Sequence, residues 1–204
     1  MQVYLAERQK IQTESEKERF IRRCLADFSP IDRKQLDKAE FRRETGGRPY
    51  LLGSKIEFSL SHSGSYIGCA VSRFRLGFDL QEIRPANFRG IAERFFSREE
   101  QLYMEKFGES AFFSLWSRKE AFVKCTGRGM AQGFSSFSTV KDGRLSAVIL
   151  SNSGPADAYR IRELEIAPDF CAAVCIPDFG NEAEEEIREV RIVHEGQGSG
   201  TEEK

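Results

Sequence analysis

The sequence has almost no net charge, since 31 lysine and arginine residues stand against 32 aspartate and glutamate residues. That balance produces no broad field that would draw the chain to nucleic acid or to an anionic membrane, so any anion-binding site has to be local. Residues 1–10 carry charges rather than an apolar leader, and no stretch has the length of a membrane span. We therefore expect a cytoplasmic protein with neither a nucleic-acid nor a membrane partner.

The sequence is also poorly equipped for zinc binding, disulfides or a nucleophilic triad. Its five cysteines are an odd number, include no C-x-x-C pair and have only two histidines beside them. Cys69, Cys171 and Cys175 lie in apolar, strand-like runs, where a reduced and buried thiol is the usual occupant. The chain has no G-x-S-x-G elbow and no compelling Ser/His/Asp order. These absences disfavour a cysteine nucleophile and a hydrolase triad.

The chain has 204 residues, of which 40% are hydrophobic, and its sequence contains both helical and strand-like segments. The spacing predicts helices over 14–28 and 109–125, the second ending at Gly127, and a helix start at Ser97 with Glu100 completing a capping box. Strands are predicted at 3–6, 56–60, 66–72, 76–81, 137–140, 145–150, 159–166 and 170–176. Residues 66–72 and 170–175 look alike, which hints at a duplicated unit.

The chain is predicted to divide into an N-terminal half, 1–74, and a C-terminal half, 75–178. After Pro177 the sequence turns acidic and then loses apolar residues, and 195–204 is rich in glycine, serine and glutamate. We therefore expect an acidic, disordered tail over residues 179–204.

The sharpest mixture of acid, base and aromatic residues is found at 116–129. A helix there places Trp116, Glu120 and Lys124 on one side, four residues apart. One interpretation is an exposed Glu120–Lys124 pair that stabilises the helix near its C-terminus. The other is that the apolar residues around most of this helix partly enclose Glu120. An enclosed carboxylate needs a partner or a metal.

A second carboxylate is available to the same cation. In the predicted strand 76–81, Leu76, Phe78 and Leu80 point one way, and Asp79 and Gln81 point the other. A strand aspartate and a helix glutamate can converge on Mg²⁺, which prefers one or two carboxylates with waters and substrate phosphates. An equally open interpretation makes Asp79 a surface residue of its strand, although strands usually avoid aspartate.

Residues 61–65 form a predicted hairpin loop rich in hydroxyl groups, with the imidazole of His62 among them. Hydroxyls, an imidazole and loop amides suit a phosphate group. The same serines and glycine are also ordinary turn residues, and His62 is equally consistent with a surface histidine.

Several segments occur in the order of the signature motifs of one family. They are Phe58-Ser59-Leu60-Ser61-His62-Ser63-Gly64, Gly77-Phe78-Asp79-Leu80, Glu93-Arg94-Phe95-Phe96-Ser97, and Trp116-Ser117-Arg118-Lys119-Glu120-Ala121-Phe122-Val123-Lys124 with Gly127-Arg128-Gly129. Together they resemble the surfactin-synthetase-type 4′-phosphopantetheinyl transferases over roughly residues 47–177. The resemblance implies an α+β fold of two α/β halves related by a pseudo-twofold axis, with coenzyme A in the cleft between them. It also implies transfer of the 4′-phosphopantetheine arm of coenzyme A to a serine of an apo acyl or peptidyl carrier protein.

For the reacting end of coenzyme A, the resemblance implies a metal site and a base. Asp79 and Glu120 would hold the Mg²⁺ that bridges the pyrophosphate, and Glu120 would also accept the proton of the carrier serine. Lys119 and Lys124 would contact the phosphates, Lys124 as part of the catalytic set. Gln81 stands where many members have glutamate, so its amide oxygen or a water would complete the metal site with a lower affinity for Mg²⁺.

For the nucleotide end, the resemblance implies that Ser61 and His62 meet the adenosine 3′-phosphate. Arg48, which precedes Pro49, would lie near the adenine. The N-terminal half is shorter than is usual for this family, and the segment whose basic residues help to hold the 3′-phosphate is not evident. Other basic residues of this half are left outside the predicted site: Arg8, Lys10, Arg22, Arg23, Arg42 and Arg43.

Two other interpretations stay open. A weak or inactive relative would bind coenzyme A or a carrier protein without transfer; Gln81 and the short N-terminal half favour it, whereas the joint presence of Asp79, Glu120 and Lys124 disfavours it. A purely structural interaction module would leave the carboxylates of Asp79 and Glu120 too far apart to share a metal. We expect a monomer, because a duplicated chain can complete its own cleft.

Overall fold

The computed structural model describes residues 1–29, 33–85, 87–129, 133–150 and 158–194. The helices in these ranges are α1 Glu14–Phe28, α2 Arg33–Lys38, α3 Phe88–Phe95, α4 Arg98–Phe107, α5 Glu109–Thr126 and α6 Asn181–Arg188. The strands are β1 Gln2–Glu7, β2 Phe41–Arg43, β3 Pro49–Leu51, β4 Glu57–Ser63, β5 Tyr66–Ser72, β6 Gly77–Glu82, β7 Val140–Lys141, β8 Arg144–Leu145, β9 Val148–Leu150, β10 Ala158–Leu164, β11 Phe170–Pro177 and β12 Arg191–His194. None of the described helices combines the length and the apolar character that a membrane span requires.

Two four-stranded sheets carry the fold, with strand orders β12-β1-β5-β4 and β6-β11-β10-β9. In the first sheet, β4 and β5 form an antiparallel pair, and β1 pairs antiparallel with β5. The second sheet repeats this arrangement, with the antiparallel pair β10 and β11 and with β6 antiparallel to β11. The strands whose sequences look alike, β5 and β11, occupy the same central position. The predicted α+β fold with two similar halves is therefore confirmed.

The two sheets pack face to face, and each carries its main helix on the outer side. Val3 and Leu5 of β1 share one buried core with Phe78 and Leu80 of β6. Tyr4, on the opposite face of β1, packs in the core beneath α1. Because successive residues of a strand point to opposite faces, the even residues of β6 face the other sheet and its odd residues face α5. This alternation confirms the predicted apolar face of the strand at 76–81.

Glycine at position 77 brings β6 unusually close to α5. A Cβ atom there would lie 1.9 Å from the carbonyl oxygen of Ala121, so a side chain would push the strand off the helix. Asp79 follows Gly77 on the same face of the strand, and Glu120 precedes Ala121 on the helix. The close approach thus sets the separation between the two elements that carry the predicted metal ligands.

The strand β4 is longer than predicted, and it takes up most of the presumed hairpin loop. It runs through Ser61 to Ser63, which leaves Gly64, with φ +51°, and Ser65 as a two-residue turn. The prediction was wrong here because serine is typical of turns. In β4 the serine hydroxyls instead accept hydrogen bonds from backbone N–H groups of β6, so polar side chains join the two sheets.

The predicted disordered tail is wrong for residues 181–194. Ala183 and Ile187, four residues apart, give α6 an apolar face that is buried in the core between the sheets. The following strand β12 pairs parallel with β1, with Gln2 opposite Arg191. The acidic residues of α6 lie outside this buried face. Residues 195–204 lie outside the described ranges.

Most of the other local predictions are confirmed. The helix α1 has the predicted bounds, Ser97 and Glu100 form the capping box of α4, and α5 ends at Gly127 in the left-handed region. All five cysteines are free. The predicted strand 137–140 is wrong except at Val140, and the predicted strand 145–150 is divided into β8 and β9, because Ser146 turns the chain by donating to the Val148 carbonyl.

Candidate active site

A buried carboxylate lies where the two sheets meet, and side chains from three elements converge on it. Asp79 of β6 is 2% exposed. Its Oδ1 accepts hydrogen bonds from Ser61 Oγ at 2.6 Å and from Lys124 Nζ at 2.7 Å. Its Oδ2 accepts one from Gln81 Nε2 at 3.1 Å. Four of the residues singled out in the sequence therefore form one hydrogen-bonded cluster, with Ser61 coming from the N-terminal half.

Lys124 forms its ion pair across the helix–strand interface. Besides Asp79, its ammonium group donates to Ser61 Oγ at 3.0 Å and to the carbonyl oxygen of Phe78 at 3.1 Å. An exposed Glu120–Lys124 pair along the helix is thus not what the structure contains. The Lys124 ammonium group is surrounded by these three oxygen atoms, and its charge also acts on Glu120.

Glu120 is half-buried on α5 beside this cluster. Burial raises the pKa of its carboxyl group above the ordinary value, the charge of Asp79 raises it further, and Lys124 opposes both. Within the described part of the chain, no hydrogen bond or ion pair reaches the Glu120 carboxylate. Because the charge of Asp79 acts on Glu120, the two carboxylates are close enough to repel each other. This proximity argues against a purely structural module, which would keep them apart.

The oxygen atoms of this cluster fit a hard divalent cation. Asp79 and Glu120 supply two carboxylates, which is the kind of donor set that Mg²⁺ takes together with waters. Gln81 turns its Nε2 towards Asp79 and its amide oxygen accepts from Ser63 Oγ at 3.4 Å, so its amide has to turn over to offer an oxygen to a cation. A cation would also offset the burial and the charge of Asp79, which together raise the pKa of Glu120. In the ranges that the structure describes, no group of three or more His, Cys, Asp or Glu residues is arranged for a metal. The fit rests on two carboxylates, without a histidine or thiolate.

His62 lies away from Asp79, beside a pocket of about 640 Å³ whose lining includes Arg8, Gln12 and Lys17. Burial lowers the pKa of the imidazole, and the charges of Arg8 and Lys17 lower it further. The backbone N–H of Arg8 donates to the Ser65 carbonyl at 2.8 Å, which ties the end of β1 to the β4–β5 turn. The N-terminal half thus provides a cationic pocket where the sequence suggested none.

Two basic residues of this pocket were missed by the sequence analysis for the same reason. Arg8 was set aside with the other N-terminal basic residues, and Lys17 was not considered, because neither belongs to a recognisable motif. Their proximity to His62 depends on β1 pairing with β5, a contact between residues about sixty positions apart. Charge near the start of α1 was the available signal, and it also fits a solvated helix surface.

Lys119 is not brought to the cluster, although it is next to Glu120 in the sequence. Its side chain is fully buried and its ammonium group donates to both carboxylate oxygens of Glu100, at 2.8 and 2.7 Å, and to the Phe137 carbonyl at 2.8 Å. Glu100 also accepts from the backbone N–H and the hydroxyl of Thr139. Lys119 therefore connects α5 to α4 and to the segment before β7.

Arg48 is also buried, and its guanidinium group points into the protein. It pairs with Glu57 at 2.6 Å and Glu44 at 3.4 Å, and it donates to the carbonyl oxygens of Phe58 and Leu76. Glu44 in turn binds Arg75, whose Nε donates to the Cys125 carbonyl at 2.6 Å, near the end of α5. The structure thus places the Arg48 side chain in a network that holds the C-terminal end of α5.

Comparisons with known proteins found one family to which this chain is similar. A family model described as the 4′-phosphopantetheinyl transferase superfamily matches residues 75–175. The 4′-phosphopantetheinyl transferase psf-1 of Bacillus pumilus is 34% identical over 149 residues, 69% of this chain and 61% of the relative. The 4′-phosphopantetheinyl transferases Sfp and ffp of Bacillus subtilis are 34% and 35% identical over 156 residues, 71% of this chain and 68% of each relative. The chain therefore belongs to the 4′-phosphopantetheinyl transferase superfamily.

Proposed function

We propose that this protein transfers the 4′-phosphopantetheine arm of coenzyme A to a serine of an apo acyl or peptidyl carrier protein and releases adenosine 3′,5′-bisphosphate. The observation that carries the proposal is the convergence of Asp79, Glu120 and Lys124 at the meeting point of the two halves. The related transferases, of which this chain spans 61 to 68% of the length, support the same reaction. We further propose that the protein depends on Mg²⁺, binds coenzyme A in a cleft between the halves and works as a cytoplasmic monomer.

The metal-binding part of the site consists of Asp79, Glu120 and Gln81. When bound, Mg²⁺ offsets the negative charge of the pyrophosphate oxygens. Asp79 is already oriented by hydrogen bonds from three side chains. Gln81, whose Nε2 donates to Asp79, has to turn its amide over to present an oxygen. The half-buried Glu120 carboxylate gains most from a nearby cation because it has no competing partner among the described residues.

Glu120 also serves as the general base. The hydroxyl oxygen of the carrier serine forms a bond to the β-phosphorus, Glu120 accepts the hydroxyl proton, and the pyrophosphate P–O bond breaks with its electron pair leaving on adenosine 3′,5′-bisphosphate. Burial and the charge of Asp79 raise the pKa of Glu120 in the metal-free protein, and a bound cation would offset this, so that the carboxylate is ionised and able to accept a proton. Lys124 places its positive charge next to the oxygens on which negative charge develops.

The cationic pocket beside His62 suits the 3′-phosphate of coenzyme A. Arg8 and Lys17 supply two positive charges and His62 supplies a ring N–H, while Glu7 also lines the pocket and Lys17 pairs with Glu14 at 2.7 Å. A phosphate group there would draw on Arg8 and His62 first and would compete with Glu14 for Lys17. Lys119 and the Arg48 side chain, which are bonded inside the protein, are assigned to the support of α5.

The pKa of His62 reports directly on this pocket. In the free protein we expect it below the ordinary value of 6.5, because burial, Arg8 and Lys17 disfavour the imidazolium ion. Stability linked to His62 is therefore full above pH 6.5 and is lost as the pH falls through the lowered pKa. Adenosine 3′,5′-bisphosphate should raise this pKa, whereas adenosine 5′-monophosphate should leave it low. NMR titration measures it, with His194 as the other histidine of the chain; equal shifts with both ligands would contradict the assignment.

The variant Gln81→Glu tests the metal site by adding a carboxylate to it. An added carboxylate next to Asp79 should lower the Mg²⁺ concentration for half-maximal activity by about one order of magnitude, since ligand charge tunes affinity. Measuring activity against Mg²⁺ concentration gives the value. Gln101→Glu on α4, remote from the cluster, is the matched control. An unchanged requirement in Gln81→Glu would place residue 81 outside the coordination sphere.

The proposed reaction is tested with a panel of apo carrier proteins from fatty-acid, polyketide and non-ribosomal peptide synthesis. Each carrier is incubated with the protein, Mg²⁺ and coenzyme A, and its intact mass is measured. Addition of the phosphopantetheine arm to any carrier supports the transferase and identifies the carrier class. Binding of coenzyme A without mass gain on any carrier would instead favour a weak or inactive relative, the alternative that Gln81 suggests.

A further inference from the structure

The hydroxyl group of Ser61 has no hydrogen-bonding capacity left for a substrate. It donates its single proton to Asp79 Oδ1 at 2.6 Å, and it accepts from Lys124 Nζ at 3.0 Å and from the backbone N–H of Leu80 at 3.4 Å. A serine hydroxyl offers one donor and two acceptor positions, so all three are occupied. The residue is also buried, at 7% exposure. Donation to a phosphate oxygen would require it to release the buried carboxylate.

Ser61 belongs to a row of serines with a shared task. Ser59, Ser61 and Ser63 alternate along β4, and each accepts a hydrogen bond from a backbone N–H of β6, at Phe78, Leu80 and Glu82. Ser61 is the member of this row that also reaches Asp79 and Lys124. These three bonds hold β4 next to β6. Ser61, the middle serine, also donates to Asp79 and so fixes the orientation of that carboxylate.

We propose that Ser61 is a positioning residue of the transferase site, which orients Asp79 for the metal and holds the charge of Lys124 beside it, and that its hydroxyl does not contact the 3′-phosphate. The inference rests on the proposed function. It separates two neighbouring residues of one strand: His62 recognises the nucleotide end of coenzyme A, whereas Ser61 serves the reacting end. Their side chains point to opposite faces of β4, as successive strand residues do.

The kinetic test compares coenzyme A with 3′-dephospho-coenzyme A as substrates. For Ser61→Ala we expect kcat to fall by about 10- to 100-fold with both substrates, the effect of losing a hydrogen bond to a charged group, and the preference for coenzyme A to stay as in the wild type. His62→Ala should weaken that preference. Ser61→Ala that weakens the preference as His62→Ala does, or that leaves kcat unchanged, would overturn the inference.

A second readout follows the metal without turnover. Mn²⁺ binding in the presence of coenzyme A, measured by electron paramagnetic resonance, should weaken in Ser61→Ala by about tenfold. Ser59→Ala is the matched control, because it removes the same kind of bond to a β6 amide, at 2.9 Å, and Ser59, unlike Ser61, has no hydrogen bond to Asp79. Thermal unfolding verifies that both variants are folded.

The two readouts separate failure of the inference from failure of the proposed function. If the wild type modifies no carrier but binds Mn²⁺, a loss of Mn²⁺ binding in Ser61→Ala alone still supports positioning. Equal Mn²⁺ affinity in Ser61→Ala and the wild type would overturn it, and so would an equal loss in Ser59→Ala. Absence of Mn²⁺ binding in the wild type would remove the metal that Asp79 is proposed to hold, and the inference with it.

Discussion

Replacing Glu120 by glutamine should reduce kcat/KM for arm transfer by about a thousandfold or more, because one carboxylate supplies both a metal ligand and the general base. The amide is nearly isosteric and keeps an oxygen atom, but it has no charge and does not accept the serine proton. Steady-state kinetics with coenzyme A and a carrier protein measure the effect. We expect the fall mainly in kcat, since the nucleotide end of the site is untouched.

The fold of this variant should survive. The raised pKa of Glu120 means that its ionised form is disfavoured in the folded state, so this carboxylate lowers stability at neutral pH and has no such effect below its unfolded pKa. Without metal, Glu120→Gln should therefore unfold at the wild-type temperature or above it at neutral pH. Glu109→Gln, in the first turn of the same helix, is the control that should keep full activity. Retention of activity within about tenfold in Glu120→Gln would contradict its role as base.

Replacing Lys119 by methionine should lower the free energy of unfolding by about 3–5 kcal/mol, because it leaves Glu100 buried without its ionic partner. For a chain of this size the unfolding temperature should fall by roughly 6–20 °C. Burial lowers the pKa of the Lys119 ammonium and the charge of Glu100 opposes it, as expected for a pair that is stable only together. Thermal denaturation at neutral pH measures the loss.

The double variant Lys119→Met with Glu100→Gln distinguishes the ion pair from simple packing. It contains no isolated buried charge and should recover part of the lost stability. At a temperature where Lys119→Met is folded, its KM for coenzyme A should stay within about twofold of the wild type. A variant with wild-type stability and a KM raised about tenfold would show instead that Lys119 contacts the phosphates.

Local sequence patterns predicted the parts of this fold that depend on local physics. The bounds of α1 and the capping box at Ser97 and Glu100 follow from helical spacing and from hydrogen bonds within one turn. The alternation around Asp79 correctly separated a core face from a polar face. These features need no knowledge of which elements are neighbours in space.

What the sequence could not supply are contacts between distant elements. The serines of β4 are typical of turns, but the pairing of β4 with β5 makes them strand residues, and their hydroxyls accept from β6 amides. Lys119 lies in a family motif, yet its direction is set by Glu100 on another helix. In the same way, α6 escaped prediction because Ala183 and Ile187 are a sparse apolar signal in an acidic segment. In each case the secondary structure, the side-chain direction or the burial of the residue depends on a partner that is distant in the sequence.

The proposed transfer is tested most directly by following both products of one reaction. A carrier protein identified by its mass gain is incubated with coenzyme A and the protein, with Mg²⁺ or with a chelator, and adenosine 3′,5′-bisphosphate is quantified beside the modified serine. We predict equal amounts of the two products with Mg²⁺, and neither product with the chelator or with Glu120→Gln. Arm addition that persists with the chelator, or in Glu120→Gln, would contradict a site built on Asp79 and Glu120.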